Sequence, residues 1–136
     1  MRTLNHSAAL MVFIAISLLA GYAIASPPTG DISAAELEQQ LTANTAPLIL
    51  DVRSVDEYDA GHLPTATNIP HTEIADRLTE LPADHDAEII IYCRSGRRAA
   101  MAKETLENAG FSNIRHLDGD YIVWKEAGLP LQMGSE

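Results

Sequence analysis

The sequence predicts an α/β fold, a parallel sheet covered by helices on both faces. Two observations carry this reading. Short apolar runs alternate with helix-like segments, and those runs are mostly uninterrupted rather than alternating with polar residues. A length of 136 residues suffices for one domain with a modest core.

The elements follow in order. Ser33 with Glu36 fits a capping box, so a helix is expected from Ala34 to Ala43. Pro47 to Val52 reads as a buried strand. Ser54 to Ala60 reads as a short helix or turn closed by Gly61, and Ala66 to Ile69 as a brief strand stopped by Pro70. Thr72 to Leu81 is expected to be helical, with Ile74, Leu78 and Leu81 on one face, and to end before Pro82. Glu88 to Tyr92 is the most apolar strand. Arg97 to Ala109 reads as a helix with Gly110 as its C-terminal cap. Ile114 to Leu117 is a further short strand, and Tyr121 to Ala127 a last helical turn.

The N-terminus reads differently. A basic start at Arg2, an apolar stretch from Ala8 to Ala20 and the sequence Ala23-Ile24-Ala25-Ser26 describe a secretory signal peptide over residues 1–25. Ala8 to Ala25 is 18 residues, at the lower edge of what spans a bilayer, so a retained anchor is the competing reading. Gly21, Tyr22 and the Ala-x-Ala ending favour cleavage after Ala25, with no stable membrane insertion afterwards. The expected location is periplasmic or secreted. Residues 26–30 read as a flexible leader and 31–136 as one domain.

Removing residues 1–25 takes away one arginine and no acid, so the formal net charge moves from −10 to −11. Such a body should repel nucleic acid and anionic membrane surfaces. Against it, Arg94, Arg97 and Arg98 stand out within five residues. Cations at a helix N-terminus oppose its macrodipole, so a local anion site is the better explanation.

Between them and the apolar strand lies Cys93, the one cysteine of the chain. Export implies an oxidising compartment, where an unpaired cysteine suggests a working thiol or an intermolecular bond. The strand ends at the sulfur, a glycine-containing turn follows, and an alanine-rich helix begins. Backbone N–H groups and guanidinium groups at such a place favour a thiolate. The bland alternative is a cysteine buried as a small hydrophobe, which explains neither Gly96 nor the arginines. Asp51 also ends a strand, so it is expected to share a crevice with Cys93 beyond the carboxyl edge of the sheet.

Two segments go beyond pattern. Asp51-Val52-Arg53, Glu57-Tyr58, Gly61-His62-Leu63-Pro64, Ala66 and Asn68-Ile69-Pro70 form the first. Cys93-Arg94-Ser95-Gly96-Arg97-Arg98 forms the second. In this order they resemble the rhodanese family of sulfurtransferases, from about Asp31 to Leu131, and the length and export signal look like its small single-domain periplasmic members. The resemblance implies a five-stranded parallel sheet with flanking helices. It implies that Cys93 takes the outer sulfur of thiosulfate, or of a related small anionic sulfur donor, as a persulfide. The sulfur then passes to cyanide or another thiophilic acceptor. The competing reading is a persulfide carrier or interaction module that docks to a partner protein without turnover to a small acceptor. Arg94, Ser95, Gly96, Arg97 and Arg98 would cradle the transferred sulfur, and no metal or organic cofactor is implied. Related phosphatases and arsenate reductases carry Cys-x5-Arg; here position 99 is Ala99, and the shorter turn suits a sulfur atom rather than a tetrahedral oxyanion.

The remaining residues read as support. Asp51 either holds the active loop by accepting hydrogen bonds, or caps local backbone and pairs with Arg53. Arg53 and Glu57 are expected to form a structural ion pair. His62 reads as a packed structural residue, and with His71, His85 and His116 it shows no metal-ligand spacing. Tyr92 and Trp124 read as core or crevice wall. Asp120 stands where the family often has the second glycine of a pair; there it would pair with an arginine or repel thiosulfate.

Overall fold

The computed structural model describes residues 30–134. The expected signal peptide, 1–25, and all of the leader except Gly30 lie outside the described residues.

Four parallel strands form one sheet, in the order β2-β1-β3-β4. They are β1 (Leu48–Asp51), β2 (Thr67–Asn68), β3 (Ile89–Tyr92) and β4 (Ile114–His116). Helices α1 (Ala34–Thr42), α2 (Val55–Asp59), α3 (Arg97–Asn108) and α4 (Asp120–Glu126) complete the domain. The expected fifth strand is reduced to a single parallel bridge between Ile32 and Leu117 beside β4. Ser33 accepts a hydrogen bond from Glu36 N–H and caps α1 directly after Ile32, so no residues remain to extend the pairing.

The other half of the expected Ser33–Glu36 capping box does not form. The Glu36 carboxylate reaches Arg115 Nη1 at 3.0 Å instead. Arg115 is buried, and it also donates to the carbonyls of Gly30 and Asp31, so it fastens the first described residues to β4. The segment expected as a helix from Thr72 to Leu81 is two single-turn 3-10 helices, Ile74–Asp76 and Leu78–Glu80. Its bonds run three residues back, from Arg77 N–H to Ile74 O and from Leu81 N–H to Leu78 O. A run this short bears the nucleation cost of a helix with few bonds to offset it. Burial of Ile74 and Leu81, with Leu78 packed alongside, decides its path.

Successive strand residues point to opposite faces. Leu50 and Val52 of β1 and its extension, with Ile89, Ile91 and Cys93, pack on Ala99, Ala102 and Leu106 of α3. Ile49, Ile90 and Tyr92 pack on the other face, against Leu37 of α1 and Trp124 of α4. Tyr92 and Trp124 are fully buried, as expected of core. Each such aliphatic side chain contributes about 1.5–3 kcal/mol by leaving water. Alanines on α3 let that helix lie close to β3, and this brings its first turn to the end of the strand.

Candidate active site

The end of β3 turns sharply at Cys93. On its β1 side Asp51 lies opposite Tyr92, and the pairing continues as Val52 N–H donates to Tyr92 O at 3.1 Å. After Cys93 the chain makes the turn Arg94-Ser95-Gly96 and enters α3. Gly96 has φ +114°, in the region that favours glycine, and it precedes the first helical residue without a side-chain cap. Its N–H, freed from helical bonding, donates to Cys93 Sγ at 3.0 Å. Cys93 is 1% exposed and packs within the apolar cluster beneath α3, with its sulfur against the turn.

The short helix α4 holds the loop from outside. Tyr121 N–H donates to Cys93 O at 3.0 Å, and Ile122 N–H to Arg94 O at 3.2 Å. The first two carbonyls of the loop therefore point to α4, while that of Gly96 accepts from Ala100 N–H of α3. Asp120, the first residue of α4, is 2% exposed and sits at φ +54°. Its Oδ1 accepts from Cys93 N–H at 2.9 Å and contacts His116 Nε2 at 2.8 Å. The expected pairing of Asp120 with an arginine does not occur, because β4 delivers His116 to the carboxylate first. His116 has its pKa raised, chiefly by the hydrogen bond to Asp120, with burial opposing and the charges of Asp120, Asp31 and Asp118 adding to it.

The expected ion pair between Arg53 and Glu57 is replaced by two others. Arg53 donates from Nη2 to Asp51 Oδ2 at 2.6 Å and from Nε to Oδ1 at 3.0 Å. Glu57 forms a two-pronged pair with Arg98, at 2.6 and 2.8 Å. Glu57 ends a full capping box with Ser54, so α2 presents its carboxylate to α3. Arg53 instead follows its strand-end neighbour into the core, where it also donates to Gly61 O at 2.7 Å.

Asp51 does not share the crevice with Cys93, and it receives no bond from the active loop. It points to the face of Ile49 and Tyr92, while Cys93 belongs to the face of Ile91, so strand alternation separates them. Its oxygens are taken by the backbone and side chain of Arg53 and by Tyr92 Oη at 2.6 Å. Burial first, and the adjoining Asp51 charge second, push the Tyr92 hydroxyl pKa far upward, so it stays a neutral donor. The Arg53 guanidinium lies 4.1 Å from the Tyr121 ring centre, linking this network to the helix that holds the loop. His62 is buried, stacked on Tyr58 and bonded to the Tyr58 carbonyl, as expected of a structural residue.

Of the three loop arginines, Arg98 is half-buried against Glu57, and its interactions with the Cys93 side chain also favour its charge. Arg94, Ser95 and Arg97 are exposed, and among the described residues Arg94 and Arg97 make no ion pair. Arg94 borders a crevice lined also by Arg53, Glu57, Ala60, Tyr121 and Lys125. Sequence reading missed Lys125, the Glu57–Arg98 pair and the His116–Asp120 contact. The first two have no local signal beyond Ser54-x-x-Glu57. The third had one, an acid four residues after a histidine. Arg98 holds Glu57 down to a pKa of about 2, with Ser54 assisting and burial opposing. A depressed carboxylate stabilises the fold above its ordinary range, and the stability is lost as pH falls toward the depressed value. Glu57→Gln is accordingly expected to be about 1 kcal/mol less stable than the native protein at pH 6. Urea unfolding at descending pH should show that difference shrinking below pH 4.5 and vanishing near pH 2; a constant difference would refute the pairing.

A cysteine at the carboxyl end of a central parallel strand, its sulfur accepting the Gly96 N–H just before a helix start, marks a class of parallel α/β domain. The chain belongs to the rhodanese-like domain family, whose model matches residues 33–127. A sulfurtransferase of Allochromatium vinosum is 35% identical over 101 residues, covering 74% of this chain and 92% of that protein. An HTH-type transcriptional regulator of Mycobacterium tuberculosis is 39% identical over 134 residues; the match covers 93% of this chain but spans only 58% of the regulator. Among solved structures, a rhodanese-like domain protein from Staphylococcus aureus superposes with a TM-score of 0.68 at 29% identity, covering 79% of this chain and 100% of that one. The thiosulfate sulfurtransferase of Pseudomonas aeruginosa gives 0.70 at 30% identity, covering 79% of this chain and 21% of the larger enzyme.

Proposed function

We propose that the protein is a sulfurtransferase that carries sulfane sulfur from thiosulfate, through a persulfide on Cys93, to cyanide or another thiophilic acceptor. The observation that carries the reading is Cys93 Sγ accepting the Gly96 N–H inside a loop whose Cys93 and Arg94 carbonyls are bound to α4. Family membership and the sulfurtransferase relative support sulfur transfer as the general function. In the first step the Cys93 thiolate attacks the outer sulfur of thiosulfate, an S–S bond forms to Cys93, and the bond to the sulfonyl sulfur breaks. Sulfite leaves with the electron pair, and the outer sulfur remains as the anionic end of the persulfide. In the second step cyanide attacks that sulfur, thiocyanate departs and the thiolate is restored. The N–H groups of the loop stabilise the negative sulfur in each state. Arg94 and Arg97, exposed and unpaired among the described residues, attract the dianionic substrate, with Lys125 on the crevice wall. Arg98 divides its charge between Glu57 and the sulfur.

Incubating the protein with thiosulfate and cyanide should release thiocyanate, and intact mass after thiosulfate alone should show one added sulfur atom. No added sulfur and no thiocyanate would refute the proposal. Export as a protein beginning at Ser26 is part of the same reading. The mass of protein recovered from an exported fraction tests it, since retention of residues 1–25 would show a heavier chain.

A further inference from the structure

We infer that Asp120 and His116 form a positioning pair that holds the Cys93 loop from behind and couples its alignment to the charge on His116. Asp120 adopts a left-handed backbone at φ +54°, a conformation costly for a residue with a side chain. What holds it there is the pair of contacts on one oxygen, Cys93 N–H at 2.9 Å and His116 Nε2 at 2.8 Å. Its second oxygen stands behind Gly96, only 3.1 Å from where a Cβ would project, and the His116 ring is 3.4 Å from the same point. The pair thus binds Cys93 by its amide and occupies the space that a side chain at Gly96 would need. Asp120 is 2% exposed, and among the described residues its only ion-pair partner is His116.

The charge on His116 therefore decides whether the loop has a neutral or a negative group behind it. The groups facing His116 are acidic: Asp120 from α4, Asp118 from the preceding turn and Asp31 from the first described segment. From the loop it faces Gly96, whose N–H is bound to the Cys93 sulfur. With imidazolium present, the Asp120 carboxylate is balanced and serves as a fixed acceptor for the Cys93 amide. With neutral imidazole, the carboxylate stays hydrogen-bonded but its charge is no longer offset, close to where an anionic sulfur must form. A negative charge at this range behind a partly screened site should slow reaction with an anionic sulfur donor by about three- to tenfold.

The rate consequence rests on the sulfur-transfer reading; the coupling of the amide to the histidine does not. The test is an NMR pH titration of the His116 ring and the Cys93 amide in the native protein and in Asp120→Asn. It is paired with the rate of persulfide formation from thiosulfate across the same pH range. Asparagine keeps an acceptor for the Cys93 amide while removing the charge. In the native protein the amide should shift with the midpoint of His116, above the ordinary histidine value, and the rate relative to that of Asp120→Asn should fall about three- to tenfold through that midpoint. In Asp120→Asn the His116 midpoint should fall and no step in rate should accompany it. His116→Gln, which keeps a donor without titrating, should leave the amide shift independent of pH over that range. A native Cys93 amide indifferent to His116, or identical pH–rate profiles in the native protein and Asp120→Asn, would overturn the inference. A native protein that forms no persulfide would overturn the sulfur-transfer reading, while the amide titration would still decide the pair.

Discussion

Cys93→Ser is expected to lower thiocyanate release from thiosulfate and cyanide by a thousandfold or more, to background. Serine retains the size and the contact with Gly96 N–H, so the loop should persist. The hydroxyl remains protonated where a thiol ionises, and oxygen does not carry a sulfane sulfur. A carrier step that passes through one atom leaves no partial route when that atom is changed, so an effect of at least about 10³ is the expected scale. Intact mass after thiosulfate should show no added sulfur in the variant. Near-ultraviolet circular dichroism should match that of the native protein, separating lost chemistry from lost fold. A variant retaining native activity would remove Cys93 from the mechanism and with it the proposed function.

The largest effect on stability is expected at Asp51. The carboxylate is fully buried, and Arg53 beside it is 3% exposed. Asp51→Ala leaves the Arg53 guanidinium with the Gly61 carbonyl and the Tyr121 and Tyr92 rings, but without a counter-charge. It also removes the acceptor of the Tyr92 hydroxyl. Breaking one side of a buried pair costs about 3–5 kcal/mol, a large part of the stability of a domain this size. The double variant Asp51→Leu/Arg53→Met should be more stable than Asp51→Ala alone, because no charge is then left buried. Urea unfolding measures both. A loss below about 1 kcal/mol in Asp51→Ala would show that Arg53 finds water, and the buried pair would not be the support described. Asp51→Ala is also expected to slow persulfide formation, because Arg53 packs on Tyr121, whose N–H holds Cys93 O.

These two predictions differ in what the sequence could supply. The order of elements was legible because its signals are local: an isoleucine-rich run, a glycine turn, an alanine-rich helix start and the Ser33 cap each speak within a few residues. Where local signals were weak, the reading slipped. Thr72 to Leu81 carries a helical pattern, but it is too short to offset nucleation and became two 3-10 turns. Ile32 continues the sheet for one residue only, because Ser33 begins a helix at once.

By itself the sequence determined the α/β class and the placing of Cys93 at the head of a short, cationic, glycine-containing turn. Strand, turn and helix start are contiguous there, and their backbone geometry follows from their own residues. Only the tertiary structure decided the partners. Arg53 and Arg98 both had carboxylates within reach of a sequence argument, and burial assigned Asp51 to the first and Glu57 to the second. Strand register set Asp51 and Cys93 on opposite faces of the sheet, a distinction that a shift of one residue would reverse. The same packing carried Asp120, 27 residues after Cys93, to within 2.9 Å of its amide. Contacts of that span depend on how the crossover helices seat on the sheet, which no local pattern encodes.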